Sequence, residues 1–275
     1  MKFNITTIQL LFFTVFATTF YSFAQQKSLA EAKLVVDTFL PQKDSTISIG
    51  ILINLKDDWH IYWRNPGDSG LPTEVDFILP EEFKVSEIKF PTPEIFSSDE
   101  IVNYGYSHQV LLTSKISIPK NFIQKEISIS AKLSALICKD LCKAFDTTLA
   151  IKLDLTKALY PTKLVSDEFD FTKSVIPKIN SDIKISVTKI SESVLLKLNK
   201  TIFQNLKVDS FVFYPYQAGV FKNKVKQTIK DTGNYFELVL EPDSFRVENP
   251  THINGIIVVN DDHNKSYEIN LPITD

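Results

Sequence analysis

Cys138 and Cys142 are the only cysteines of the 275-residue chain, four positions apart in Leu136-Ile137-Cys138-Lys139-Asp140-Leu141-Cys142-Lys143-Ala144-Phe145. Two thiols at that separation can close a disulfide, exchange it with another thiol, or offer two ligands to a soft metal ion. A bridge over so short a loop restricts the unfolded chain little, by about 2 kcal/mol against about 4.7 for a loop of about 100 residues. A staple selected for stability is expected to join distant strands, whereas a tight loop can hold a reducible bridge that exchanges with partners. Spacing alone leaves redox exchange and a structural staple both open, with metal binding by the two thiolates as a third reading. Lys139 and Lys143 would favour a thiolate and Asp140 would oppose it. No histidine and acid pattern beside either cysteine suggests a hydrolytic nucleophile.

The chain starts Met1-Lys2-Phe3, runs through an apolar stretch containing Leu10, Leu11, Phe12, Phe13, Val15, Phe16 and Ala17, and reaches Ser22-Phe23-Ala24 before Gln25. That is the pattern of a secretory signal peptide over residues 1–24, cut after Ala24. Position 25 is not a cysteine, so no lipid acceptor follows the cut. Beyond Ala24 no apolar run approaches the roughly 18 to 20 residues of a membrane span, and Gly255-Ile256-Ile257-Val258-Val259 is typical of the longest. The mature chain is expected to be periplasmic with no membrane span, in a compartment that favours a Cys138–Cys142 disulfide at rest. The formal charge of −3 becomes −4 once Lys2 is lost, which argues against a nucleic-acid partner.

His60, His108, His252 and His263 are widely separated and in no metal-ligand spacing. His60 and His108 fall in the same half as the cysteines, so a mixed sulfur and nitrogen site is conceivable, but surface or packing roles are the favoured reading. Trp59, Tyr62 and Trp63 read as core, although an aromatic beside a disulfide can also shield it.

These residues are set in a chain dominated by period-two alternation, as in Thr46 to Leu55 and Glu126 to Leu133. Further strand candidates in the first half are Lys33 to Phe39, Trp59 to Trp63, Thr73 to Ile78, Val85 to Phe90, Val110 to Ile118 and Phe145 to Leu155. Eight short strands suggest an immunoglobulin-like sandwich over residues 25–157. Between 158 and 180 the looser spacing of Leu164, Val165, Phe169, Phe171, Val175 and Ile176 suits a short helical connector ended by Pro177. Alternation returns from Ile183 onward, which predicts a second, smaller β-sandwich over residues 181–275. The fold class expected is therefore all-β, with two β-sandwich domains. Arg64 to Pro72 is rich in turn formers, and Pro91 to Tyr106 shows no convincing period and reads as a long functional or mobile loop.

With Trp59-His60-Ile61-Tyr62-Trp63-Arg64-Asn65-Pro66-Gly67-Asp68-Ser69-Gly70-Leu71-Pro72, Tyr104-Gly105-Tyr106 and Cys138-Lys139-Asp140-Leu141-Cys142 in this order, the chain resembles the periplasmic N-terminal region of the DsbD family of thiol:disulfide interchange proteins, especially its ScsB-like branch. The likeness continues through Phe211 to Tyr216 and the strand around Gly255 to Val259.

The resemblance implies an immunoglobulin-like redox domain that relays reducing equivalents by thiol-disulfide exchange, with no cofactor. Cys142 inherits the mixed disulfide with the acceptor and Cys138 the resolving role. A flexible cap loop in such relatives maps onto Phe96 to Tyr106, with Phe96, Tyr104, Tyr106 and Tyr62 as candidate shields of the sulfurs. Enterobacterial members place five residues between the cysteines whereas this chain has three, so cap contacts do not transfer atom for atom. The chain stops at Asp275 without the transmembrane carrier and thioredoxin-like domain of full-length relatives, so the expected donor is a separate membrane-embedded DsbD-like electron carrier or thioredoxin-like protein, and the acceptors are oxidised periplasmic proteins. The competing expectation is a non-enzymatic binding module with a structural disulfide, with copper handling as one version.

Overall fold

The computed structural model describes residues 28–41, 45–98, 101–123, 125–179, 185–200, 208, 210–224, 226–260 and 262–275. The expected signal peptide, residues 1–24, lies outside them. The described residues build two sandwiches, each of two β-sheets, and one α-helix.

In the first sandwich one sheet has the order β1 (Ala30–Val36), β2 (Thr46–Leu55), β8 (Gln109–Ser117), β5 (Lys84–Val85). The facing sheet runs β10 (Cys142–Asp154), β9 (Glu126–Cys138), β3 (His60–Gly67), β7 (Ile101–Ser107), β6 (Glu94–Ser98), with β4 (Glu74–Ile78) also paired to β9. Alternation decides what faces inward: Ile47, Ile49, Ile51 and Ile53 of β2 meet Ile127, Ile129, Ala131, Leu133 and Ile137 of β9 in one core. The candidate strand from Val85 to Phe90 is mostly not a ladder strand. Only Lys84 and Val85 pair with β8, and beyond them an isolated bridge joins Lys89 to Thr113.

The segment read as a loop from Pro91 to Tyr106 is largely strand. Phe96 pairs with Asn103 and Glu94 with Gly105, so β6 and β7 form an antiparallel pair that extends the sheet carrying the cysteines. Two prolines, Asn103 and Gly105 dilute the apolar count there, but Val102, Tyr104 and Tyr106 still alternate and are all buried.

The α-helix of the described residues, α1 (Lys163–Val175), is capped by Thr162, whose side chain accepts from the Val165 amide, and stops before Pro177. Val165, Phe169, Thr172 and Val175 form its buried stripe. Val165 and Phe169 pack on Val35, Leu52 and Leu111, which are the outward-facing apolar residues of β1, β2 and β8. Thr92 fastens the far end, its amide and hydroxyl both donating to the Val175 carbonyl at 3.0 Å. Leu164 and Phe171 face solvent.

The second sandwich faces a sheet ordered β11 (Lys178–Ile179), β18 (Ser266–Pro272), β17 (His252–Val259), β14 (Phe211–Pro215) against one ordered β12 (Ile185–Ile190), β13 (Ser193–Asn199), β16 (Tyr235–Leu240), β15 (Ile229–Asp231). The run Gly255 to Val259 is continuously apolar because β17 is buried on both faces. Ile253, Ile257 and Val259 point into the second core, while Ile256 and Val258, with Tyr214 of β14, belong to the core of the first sandwich. The two sandwiches therefore share a packed seam.

Replacing Phe169, 1% exposed, with alanine empties the contact between α1 and the first sandwich and is expected to cost about 3 to 5 kcal/mol. The same change at exposed Phe171 should stay within about 0.5 kcal/mol. Chemical denaturation of the two variants checks the pair.

Candidate redox site

β9 and β10 are thirteen residues each and pair in full register from Glu126 opposite Asp154 to Cys138 opposite Cys142, with Lys139, Asp140 and Leu141 as the connecting turn. The cysteines are the last directly opposed pair, with Cα atoms 4.1 Å apart, and they are bonded to each other. Close pairs of this kind put both side chains on one face of the sheet. The same parity puts Ile137 on the inner face, so the sulfurs lie on the outer face of the sandwich.

The two cysteines are not equivalent. Cys138 is 2% exposed, whereas Cys142, on the edge strand, is exposed. Leu141 beside it is 75% exposed, an apolar side chain at the tip of the turn. Lys139 is engaged away from the sulfurs, its ammonium 2.8 Å from the Asp58 carboxylate. That hydrogen bond holds the Asp58 carboxyl below its ordinary pKa and raises that of Lys139.

β3 supplies the wall around Cys138. His60 pairs with Cys138 on one side and with Ser107 of β7 on the other. Alternation then assigns its residues: Ile61 and Trp63 go into the core, and His60 and Tyr62 go to the face of the disulfide. The Tyr62 hydroxyl lies 3.8 Å from Cys142 Sγ, and burial raises its pKa. Phe96 of β6 stacks on the His60 ring at 4.5 Å between centroids, and Tyr62 meets the same ring edge-on at 5.3 Å. Between Phe96 and β3, Gly105 keeps β7 close, because a Cβ there would stand 2.2 Å from the Ile61 carbonyl oxygen.

Of the four aromatics expected as shields, Tyr62 and Phe96 are on this face. Tyr104 and Tyr106 are on the other. Both are buried in the core, and their parity with Ile95 and Ile61 across the ladder turns them inward. Tyr106 donates to the Pro91 carbonyl at 2.7 Å and Tyr104 to Asn223 Oδ1 at 3.0 Å. Burial raises the pKa of both phenols strongly. The sequence favours a surface or packing role for His60. Its place opposite Cys138 follows from a strand register that no local motif announces.

The turn-rich stretch after β3 does two jobs. Gly70, at φ +90°, lies under the Tyr62 ring, where a Cβ would come within 2.4 Å of Cζ, and Thr73 donates to the Tyr62 carbonyl at 2.6 Å. The same stretch holds the second sandwich. Buried Asn65 donates to the Pro215 carbonyl at 2.7 Å, Asp68 accepts from Asn223 at 2.7 Å and from the Val102 amide at 2.7 Å, and the Arg64 guanidinium sits 4.3 Å over the Tyr216 ring. Trp63 packs between Tyr104, Tyr214 and Tyr216. Among the described residues no group of three or more His, Cys, Asp or Glu side chains is placed to hold a metal ion.

Replacing Gly70 with alanine should strain a left-handed backbone, at a cost of order 1 to 3 kcal/mol, and push Tyr62 off Cys142. The expected outcome is a lower denaturation midpoint together with faster reduction of the disulfide by dithiothreitol than in the unaltered chain.

Asn65→Ala leaves the Pro215 carbonyl buried without its donor and is expected to cost about 1 to 3 kcal/mol in the same denaturation assay.

The sequence profile of the family "Thiol:disulfide interchange protein DsbD, N-terminal" matches residues 25–153. Among solved structures, the N-terminal periplasmic domain of ScsB from Proteus mirabilis superposes with a TM-score of 0.66 at 18% identity, covering 90% of this chain and 94% of that one. The reduced DsbD N-terminal domain of Neisseria meningitidis matches at 12% identity over 47% of this chain and 90% of that one, with a TM-score of 0.26. No curated protein sequence matches significantly. The all-β, immunoglobulin-like architecture is thus shared with the ScsB domain, and the residues that hold the cysteine pair fall in the profile-matched region. Residues 25–153, just under half of the chain, thus match the DsbD N-terminal family, which is named for thiol:disulfide interchange, and both cysteines lie within that match.

Proposed function

We propose that the chain is a periplasmic relay module that takes reducing equivalents from a membrane-embedded DsbD-like electron carrier or a thioredoxin-like protein and passes them to oxidised periplasmic proteins through Cys138 and Cys142. The observation that carries this reading is the inequality of the two cysteines: Cys142 is exposed to solvent and Cys138 is buried. Thiol-disulfide exchange needs in-line approach of a thiolate to one sulfur while the other leaves. Only Cys142 offers that approach.

The chemistry follows from the arrangement. A donor thiolate forms a bond to Cys142 Sγ, the Cys138–Cys142 bond breaks, and its electron pair leaves on Cys138. The donor's second thiolate then attacks the donor sulfur of the mixed disulfide and expels Cys142 as a thiolate, so two electrons have moved from the donor to the pair, and the protons lost by the donor thiols and gained by the released cysteines pass through solvent. Delivery to an acceptor disulfide reverses these steps, with Cys142 attacking and Cys138 resolving. The exchange needs no cofactor.

Phe96 and Tyr62 shield the pair, covering His60 and flanking Cys142 respectively. Exposed Leu141 gives a docking partner an apolar contact beside the reactive sulfur. Tyr104 and Tyr106 support the sheet from within and cover nothing. In this reading residues 1–24 direct export, 25–157 form the redox domain, 158–180 connect, and 181–275 form the second domain, which braces the loop that carries Gly70.

A Cys138→Ser variant keeps the accessible thiol and removes the resolving one. Mixed with an oxidised thioredoxin-like partner, it is expected to accumulate a mixed disulfide through Cys142 that survives non-reducing electrophoresis, and a Cys142→Ser variant is expected to form little. Equal trapping by both variants, or none by either, would contradict the relay.

A further inference from the structure

His60 is the polar group that the exchange chemistry has not yet used. The strand register puts it directly across from Cys138 on the face of the disulfide, a position from which side chains of neighbouring strands come within about 4.5 to 5.5 Å at Cβ. Its ring is fixed by the Phe96 stack and the Tyr62 edge. Its Nε2 atom is nevertheless buried with no hydrogen-bond partner. A buried imidazole nitrogen left unpaired costs free energy in either tautomer, since it is a donor or an acceptor without a mate. A disulfide sulfur is a poor mate. A thiol or thiolate at the same position is a good one, donating to the bare nitrogen or accepting from N–H.

We propose that His60 exchanges a proton with Cys138, standing unpaired while the disulfide is closed and hydrogen-bonded to the Cys138 sulfur once it opens. This rests on the relay reading. When a donor thiolate bonds to Cys142 and the disulfide breaks, the electron pair leaving on Cys138 is met by His60 Nε2–H, which donates to it. When Cys138 resolves a mixed disulfide on Cys142, its thiol proton passes to Nε2, the new Cys138–Cys142 bond forms, and the partner leaves as a thiolate. The Cys138 thiolate and its imidazole partner take up one proton from solvent after the disulfide opens, and the imidazolium returns it to solvent once the disulfide closes; the electrons come from or go to the partner dithiol.

The groups that face His60 are few. Tyr62 lies on its own strand, Glu94 on β6 is held by the Ser107 hydroxyl at 2.8 Å, Cys138 and Cys142 lie across the ladder, and Asp58 and Lys139 pair with each other at the end of the sheet. Burial lowers the imidazole pKa and the Glu94 carboxylate partly offsets it. With the disulfide closed, the neutral form of His60 is therefore favoured. A thiolate at Cys138 would raise its pKa.

The direct test needs no partner protein. In the Cys142→Ser background, Cys138 is the sole thiol and its ionisation can be followed by ultraviolet thiolate absorbance against pH. His60→Gln keeps a polar side chain that does not titrate, and His60→Phe keeps the ring. Both are expected to raise the apparent Cys138 pKa by about one unit or more, a tenfold loss of thiolate on the acid side of the transition. Nuclear magnetic resonance of the unaltered chain, which avoids any question of misfolding, should show the His60 ring titrating at higher pH after reduction than before. An unchanged Cys138 titration in both variants, or a His60 titration indifferent to reduction, overturns the proposal. Either result leaves the trapping outcome at Cys142 untouched, so failure here is distinct from failure of the relay.

Discussion

The alternation of β3 between two neighbours is the constraint on which the rest of the structure depends. Paired with β9 on one side and β7 on the other, this strand has no freedom to slip, since a shift of one residue would put Ile61 and Trp63 on the outside and His60 and Tyr62 in the core. With the register held, one short sequence serves two ends. Its outward residues form the wall behind the disulfide, and its inward and trailing residues, from Trp63 to Asp68, form the seam with the second sandwich. The disulfide has its asymmetry for the same reason: Cys138 is on an internal strand with β3 beside it, and Cys142 is on the sheet edge with one neighbour only.

That arrangement separates stability from reactivity. The bridge closes so short a loop that its entropic contribution is small, and the fold has two large apolar clusters that do not include it. Opening the bond costs the core little. The rigid hairpin behind it, thirteen paired residues on each side, keeps the two sulfurs opposed after reduction, so the pair can close again without a search. The second sandwich fits the same logic, because Asn65, Asp68 and Asn223 clamp the loop whose Gly70 underlies Tyr62.

Much of this was legible in the sequence, and the reasons are local. The cysteine spacing, the period-two runs and the helical spacing before Pro177 are all properties of contiguous residues. What was missed depends on partners far along the chain. The resemblance makes Tyr104 and Tyr106 shields, although Val102, Tyr104 and Tyr106 alternate with Asn103, Gly105 and Ser107 and so share one face; dilution by proline and glycine hides the strand in this stretch. The α1 stripe could be counted, but the groove that receives it is made by Val35, Leu52 and Leu111. Likewise the doubly buried β17 announces itself only as an apolar run, and the role of Asn65 depends on Pro215, which lies 150 positions away. His60 opposite Cys138 is a matter of register, set by the whole sheet and by no motif.

The account stands on the disulfide being readily opened, and its equilibrium reduction potential measures that directly. Equilibrating the folded protein in glutathione buffers and quantifying free thiol should give a value between about −120 and −270 mV, in the range of proteins that exchange disulfides. A value below about −300 mV would place Cys138–Cys142 among structural bridges and contradict the account.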